Sequence, residues 1–150
     1  MNTLELFESE AKTRFFYLVS EFNFLPPEIR TYAYSRTLEY RSPQLSVTLN
    51  YEIGSLPWVT LARLASETHN RGAREIVNLD VALNDAGIQR PWSDWVPRDV
   101  PDDVLLRTIH YQADALKRTC GTFLRGEFGA VWSRLVTEQR ALSEKRKGLH

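Results

Sequence analysis

The fold of this chain is decided by residues 38–53, which read LEYRSPQLSVTLNYEI from Leu38 to Ile53. From Leu45 onward, apolar and polar residues alternate without interruption, which is the pattern of a β-strand with one face in solvent. Residues 38–41 alternate in the same way before a turn that contains Pro43. The sequence therefore predicts an antiparallel hairpin whose apolar face packs on helices.

The same alternation restricts the register of the hairpin. Leu38 and Tyr40 must share a face with Val47 and Leu49, because a one-residue slip would place Glu39 among buried leucines. Tyr40 is therefore expected opposite Val47 or opposite Leu49. The loop between the two strands must then contain an even number of residues, two or four.

Helices are predicted on both sides of the hairpin. Apolar residues recur every three or four positions over residues 4–22, which predicts an N-terminal helix with Thr3 as N-cap and with Phe16 and Val19 widening its apolar face. Similar stripes predict a short helix after Asn78, a long helix with Pro101 at its first position, and a last helix over residues 128–141. Residues 142–150 are expected to fray.

The remaining segments complete the expected architecture. Residues 58–64 predict a third strand, residues 66–75 read as a surface loop, and the Pro- and Trp-rich residues 89–101 read as an extended loop. Residues 28–33 are ambiguous, and the first strand begins either at Tyr32 and Tyr34 or nearer Arg36. We predict one α+β domain over residues 1–150. Its order is N-terminal helix, three-stranded antiparallel meander, short helix, long Trp/Pro loop and two C-terminal helices, with the helices packed on one sheet face.

Composition limits the classes of function. Lys plus Arg and Asp plus Glu both total 19, so the overall charge lacks the basic field that favours nucleic-acid binding. The single cysteine, Cys120, excludes an intrachain disulfide. The acidic N-terminal segment has no signal-peptide pattern, and no apolar run approaches the roughly 20 residues that cross a bilayer. A cytoplasmic protein with neither nucleic acid nor membrane as partner is expected.

No residue pattern predicts catalysis, a metal or a cofactor. Cys120 and His110 lie ten residues apart on one predicted helix, about 15 Å along its axis, so they cannot form a nucleophile–base pair. We interpret Cys120 as a core residue. The three histidines (His69, His110 and His150) lack the spacing of metal ligands.

A Trp-rich loop is the first candidate for binding a partner. Trp and Arg are the residue types most enriched at interface hot spots. The alternative is that one or both tryptophans fill an open edge of the core. The candidate contacts in this loop are Arg90, Trp92, Asp94, Trp95 and Arg98.

The polar face of the hairpin is the second candidate. Two carboxylates on this face could in principle do acid–base work, but we interpret the face as solvated unless a partner covers it. Its candidate contacts are Glu39, Arg41, Thr48, Asn50 and Glu52.

Three short motifs carry a resemblance. They are Phe22-Asn23-Phe24-Leu25, Tyr40-Arg41-Ser42 and Leu124-Arg125-Gly126-Glu127-Phe128. With the element order, they resemble a broad set of small uncharacterised bacterial α+β proteins. That set includes immunity proteins, which bind and block a toxin. The resemblance implies a non-catalytic protein-binding role and designates no residues, and residues 66–101 depart from it. A small enzyme with a site assembled through the fold and a structural subunit of a larger assembly are the alternatives.

Overall fold

The computed structural model describes residues 2–64, 75–89 and 100–147. The elements in chain order are α1 (Thr3–Arg14), α2 (Tyr17–Ser20), β1 (Glu28–Thr31), β2 (Ser35–Arg41), β3 (Leu45–Glu52), β4 (Trp58–Arg63), β5 (Glu75–Asn78), α3 (Leu79–Asp85), α4 (Asp102–Leu124) and α5 (Gly129–Lys147).

The strands form one antiparallel sheet in the order β1-β2-β3-β4-β5. The α+β class is confirmed, but the expected count of three strands is wrong. Strands β1 and β5 are the two edges, and each is four residues long. Such short segments carry too little alternation to be recognised alone, and pairing with β2 and β4 makes them strands.

The hairpin adopts one of the two registers that the sequence allowed. Tyr40 lies opposite Val47, and the last pair is Arg41 and Ser46, with the four residues 42–45 between these two partners. The Ser42 hydroxyl accepts the backbone N–H of Leu45 at 3.1 Å, which closes this loop. Local hydrogen bonds of this kind, from the backbone to a serine hydroxyl, are a reason why serine is common in turns.

The N-terminal helical segment is divided into two helices. Helix α1 ends at Arg14 and α2 begins at Tyr17, and Phe16, which lies between the two helices, is 59% exposed. The expectation that Phe16 widens the apolar face is wrong. The N-cap is Asn2, not Thr3, because Asn2 accepts the Glu5 N–H at 2.8 Å and Glu5 completes a capping box.

The later helices follow the expected order with different ends. Asn78 precedes α3, and Gly87, with φ +74°, ends it as a C′ glycine does. Pro101 is the N-cap of α4 rather than its first residue. Helix α5 continues to Lys147, beyond the expected end at residue 141.

The core lies between the sheet and the helices. Leu38, Tyr40, Val47, Leu49 and Leu61 are each at most 2% exposed, as their parity along the strands requires. Helices α1 and α4 contact each other, and α5 lies against the β5 edge, where the Asn78 N–H donates to Gln139 at 3.0 Å. The side chains of alternate strand residues lie on the opposite face, which we call the open face.

Candidate functional site

The open face is ordered in four rows that run across the strands. Residues directly opposite each other in neighbouring strands share a face, so the ladder pairs define these rows. They are Ser35-Glu52, then Arg30-Thr37-Asn50-Trp58, then Glu28-Glu39-Thr48-Thr60-Asn78, then Arg41-Ser46-Ala62-Ile76.

Glu39 is the centre of a charged network on this face. Its Oε1 accepts from Arg30 at 3.3 Å and from Arg41 at 2.9 Å, and its Oε2 accepts from the Ser46 hydroxyl at 2.8 Å. The Glu39 side chain is only 13% exposed, and Ser46 is buried. The carboxylate is therefore held in one position by three donors from three adjacent strands.

The environment of Glu39 favours its ionised form. Burial by itself raises the pKa of this carboxyl, but the hydrogen bonds from Ser46 and Arg41 and the charges of Arg41 and Arg30 outweigh burial. The pKa of Glu39 therefore lies below its ordinary value, which is the behaviour of a structural carboxylate rather than of a proton donor at neutral pH.

This lowered pKa predicts a pH-dependent stability. A carboxyl whose pKa is lower in the folded chain adds stability above its unfolded pKa, and that stability is lost as the pH falls through the folded pKa. We expect the stability difference between the wild type and Glu39→Gln to narrow as the pH falls from neutral into the acid range below 4.5, the ordinary pKa of a Glu carboxyl. Urea unfolding over this range measures it. Glu52→Gln is the control, since Glu52 makes no ion pair in the described part of the chain. A difference that stays constant down to the lowest pH would contradict the assignment.

The other candidates of the hairpin face divide into two groups. Thr48 lies directly opposite Glu39, and the Asn50 amide lies 3.5 Å from the backbone oxygen of Trp58. Glu52 pairs with Ser35, four ladder positions from Glu39 along β2, and its side chain is exposed. Glu39 and Glu52 are therefore not an acid–base pair, whereas Glu39 and Arg41 are brought together.

The first candidate for partner binding was the Trp-rich loop. Arg90, Trp92, Asp94, Trp95 and Arg98 lie outside the described residues. Their role in binding stays a prediction.

Three residues of the open face escaped the sequence interpretation. Arg30 belongs to β1 and Ile76 to β5, the two strands that the alternation did not reveal. Trp58 belongs to the predicted third strand and lies on the polar face of the sheet, opposite Asn50. Trp58 is 41% exposed and Ile76 is 40% exposed. Parity relative to the buried Val59 and Leu61 is the signal that could have identified Trp58.

Cys120 is buried in α4, as expected. Burial raises the pKa of its thiol to about 12, so almost no thiolate forms near neutral pH. His110 lies on the exposed side of the same helix. The described residues contain no group of three or more His, Cys, Asp or Glu side chains placed to hold a metal ion.

The buried thiol gives a chemical prediction. We expect Ellman's reagent at pH 8 to label Cys120 only after unfolding in guanidinium chloride, because the native thiol is both buried and protonated. Absorbance of the released thiolate measures the reaction. Stoichiometric labelling of the native protein within minutes would contradict the core assignment.

One shallow cleft of about 380 Å³ lies away from the open face. The cleft lies between the end of α2, the hairpin turn and the end of α4. Its charged lining residues are Glu21 and Arg125. Glu21 is already paired with Lys117 at 2.7 Å. His110 does not line the cleft, and His69 lies outside the described residues, so no described histidine faces Glu21 there.

Two further findings concern the whole chain. Within residues 2–64, 75–89 and 100–147, no helix combines the length and the apolar character that spanning a membrane requires. Comparison with protein-family models, with curated proteins and with solved structures found no match.

Proposed function

We propose that this chain is a non-catalytic, cytoplasmic protein-binding domain of the immunity type, which binds its partner through the open face of the sheet. The observation that carries the proposal is Trp58, an aromatic side chain 41% exposed on a face that is otherwise mainly polar. Tryptophan is over-represented at interface hot spots, and its burial by a partner removes a large apolar area from water.

The surroundings of Trp58 support this use of the face. Interfaces combine a small apolar centre with polar groups that make hydrogen bonds around it. Here Trp58, Ala62 and Ile76 provide the apolar part on β4 and β5. The hydroxyl, amide and charged side chains of β1, β2 and β3 provide the polar part on the same face.

Reconstitution of a complex tests the proposal. A partner captured from the native host is purified and recombined with this chain, and its affinity is measured by calorimetry. We expect Trp58→Ala to weaken binding by about tenfold or more. Phe16→Ala is the matched control, because Phe16 is an aromatic residue that is 59% exposed outside the sheet. An equal loss in both variants, or no loss in Trp58→Ala, would overturn the use of the open face.

The immunity role has its own test. The reading frames adjacent to the gene are expressed with and without this chain, and cell growth is measured. We expect one neighbour to arrest growth and this chain to restore it. If this chain restored growth without forming a complex with the neighbouring protein, the result would contradict the proposal. A stable homo-oligomer without a second protein, detected by light scattering, would favour the structural-subunit alternative.

A further inference from the structure

Two arginines on the open face share a single acceptor atom. Arg30 and Arg41 both donate to Oε1 of Glu39, and the Ser46 hydroxyl occupies Oε2. Both bonds come from terminal guanidinium nitrogens, so the Nε–H groups of the two arginines do not contact Glu39. The arginine side chains are 40% and 53% exposed, respectively, whereas the carboxylate between them is nearly buried.

We propose that Arg30 and Arg41 form an oxyanion site that binds an acidic side chain, Asp or Glu, of the protein partner. This inference rests on the proposed function, because it specifies the chemistry of the partner that the open face binds. A guanidinium has five N–H donors, and its planar fork matches the two oxygens of a carboxylate. Glu39 uses only a fraction of the donors of each arginine and orders both side chains before the partner arrives, which lowers the entropic cost of binding.

The observations favour a carboxylate over the phosphates of a nucleic acid. A nucleic-acid site neutralises several phosphates with a field of cations, whereas this site has two arginines. Glu39 lies between them, and Glu28 lies 3.9 Å from Arg30 with its side chain 62% exposed. The positive and negative charges of this cluster nearly cancel. Such a cluster can bind one oriented acidic group, but it does not attract the many charges of a polyanionic backbone.

Glu28 provides a second prediction for this site. The Glu28 carboxylate competes with an incoming carboxylate for Arg30, because the two negative charges repel each other and both groups accept hydrogen bonds from the same guanidinium. Removal of Glu28 should therefore strengthen binding of an acidic ligand. A gain of affinity of this kind cannot arise from damage to the fold.

The test is a titration of the full chain with an acetylated, amidated hexaglutamate peptide, followed by NMR of the arginine Nε–Hε signals at low ionic strength. We expect saturable shifts at Arg30 and Arg41 and at the backbone amides of Ser46 and Thr48. The double variant Arg30→Gln/Arg41→Gln should bind at least about tenfold more weakly. Glu28→Gln should bind about threefold more tightly. Arg107→Gln should leave the affinity unchanged, since Arg107 is held by Asp103 on α4, away from the sheet.

Other outcomes would overturn the inference. These are shifts spread equally over all exposed arginines, an affinity unchanged in the double variant, or tighter binding of a ten-residue oligothymidylate than of the peptide. Arg30→Lys/Arg41→Lys retains both charges and should lose most of the binding if the guanidinium fork is required. Circular dichroism of each variant verifies that the sheet is retained. If the peptide does not bind but the Trp58-dependent complex forms, only the oxyanion site is rejected. If the peptide binds but no protein partner is found, only the proposed function is rejected.

Discussion

Trp132→Ala is expected to lower the free energy of unfolding by about 3–5 kcal/mol. Trp132 is 0% exposed, and its ring packs edge-on against Phe123 at 5.1 Å and Phe128 at 5.2 Å between centroids. Its indole N–H also donates to Glu75 of β5 at 3.3 Å. Truncation removes the contact between α5, the end of α4 and the edge of the sheet, and it leaves a cavity that rigid neighbours fill only partly.

Urea denaturation measures this loss, and Trp58→Ala is the matched control. The same substitution at Trp58 removes a side chain that is 41% exposed, so it should cost no more than about 1 kcal/mol. If Trp132→Ala lowered the free energy of unfolding as little as Trp58→Ala, α5 would not depend on its buried tryptophan. The same pair of variants separates stability from binding, because only Trp58→Ala should impair the complex.

Phe7→Ala is expected to destabilise the fold by a similar amount, about 3–5 kcal/mol. Phe7 is 1% exposed and stacks on Tyr51 of β3, with 5.0 Å between ring centroids. This contact attaches α1 to the centre of the sheet. Its removal should lower the midpoint of urea unfolding without a large change in the slope, since the sheet and α4 still unfold with it.

Phe16→Ala provides the comparison for Phe7. Both residues belong to the stretch that the sequence predicted as one helix, but Phe16 is 59% exposed. Its truncation should change the free energy of unfolding by no more than about 0.5 kcal/mol. If Phe16→Ala proved as costly as Phe7→Ala, the break between α1 and α2 would be wrong.

Much of the fold was predictable because its central strands are long and regular. Parity placed Leu38, Tyr40, Val47 and Leu49 in the core and reduced the hairpin to two registers. The sequence also placed the start of α3 after Asn78 and the start of α4 within one residue of its observed position. These signals are local, so no tertiary contact is needed to read them.

The candidate site was predictable only in part. Glu39 and Arg41 lie within the regular hairpin, and their shared polar face followed from alternation alone. Arg30 joins them from β1, which has a single large apolar residue, Ile29, and follows two prolines. The Glu39 network therefore includes a donor from β1, and no pattern within the hairpin could reveal that donor.

By itself, the sequence determined the α+β class, the central hairpin and its two permitted registers, the order of the helices and the burial of Cys120. The reason is that side-chain periodicity and capping residues act over a few positions. Only the tertiary structure decided that Tyr40 faces Val47, that β1 and β5 extend the sheet, that Phe16 leaves the core, and that Arg30 and Arg41 meet at Glu39. These outcomes depend on pairing between segments that are individually too short or too ambiguous to specify their own structure.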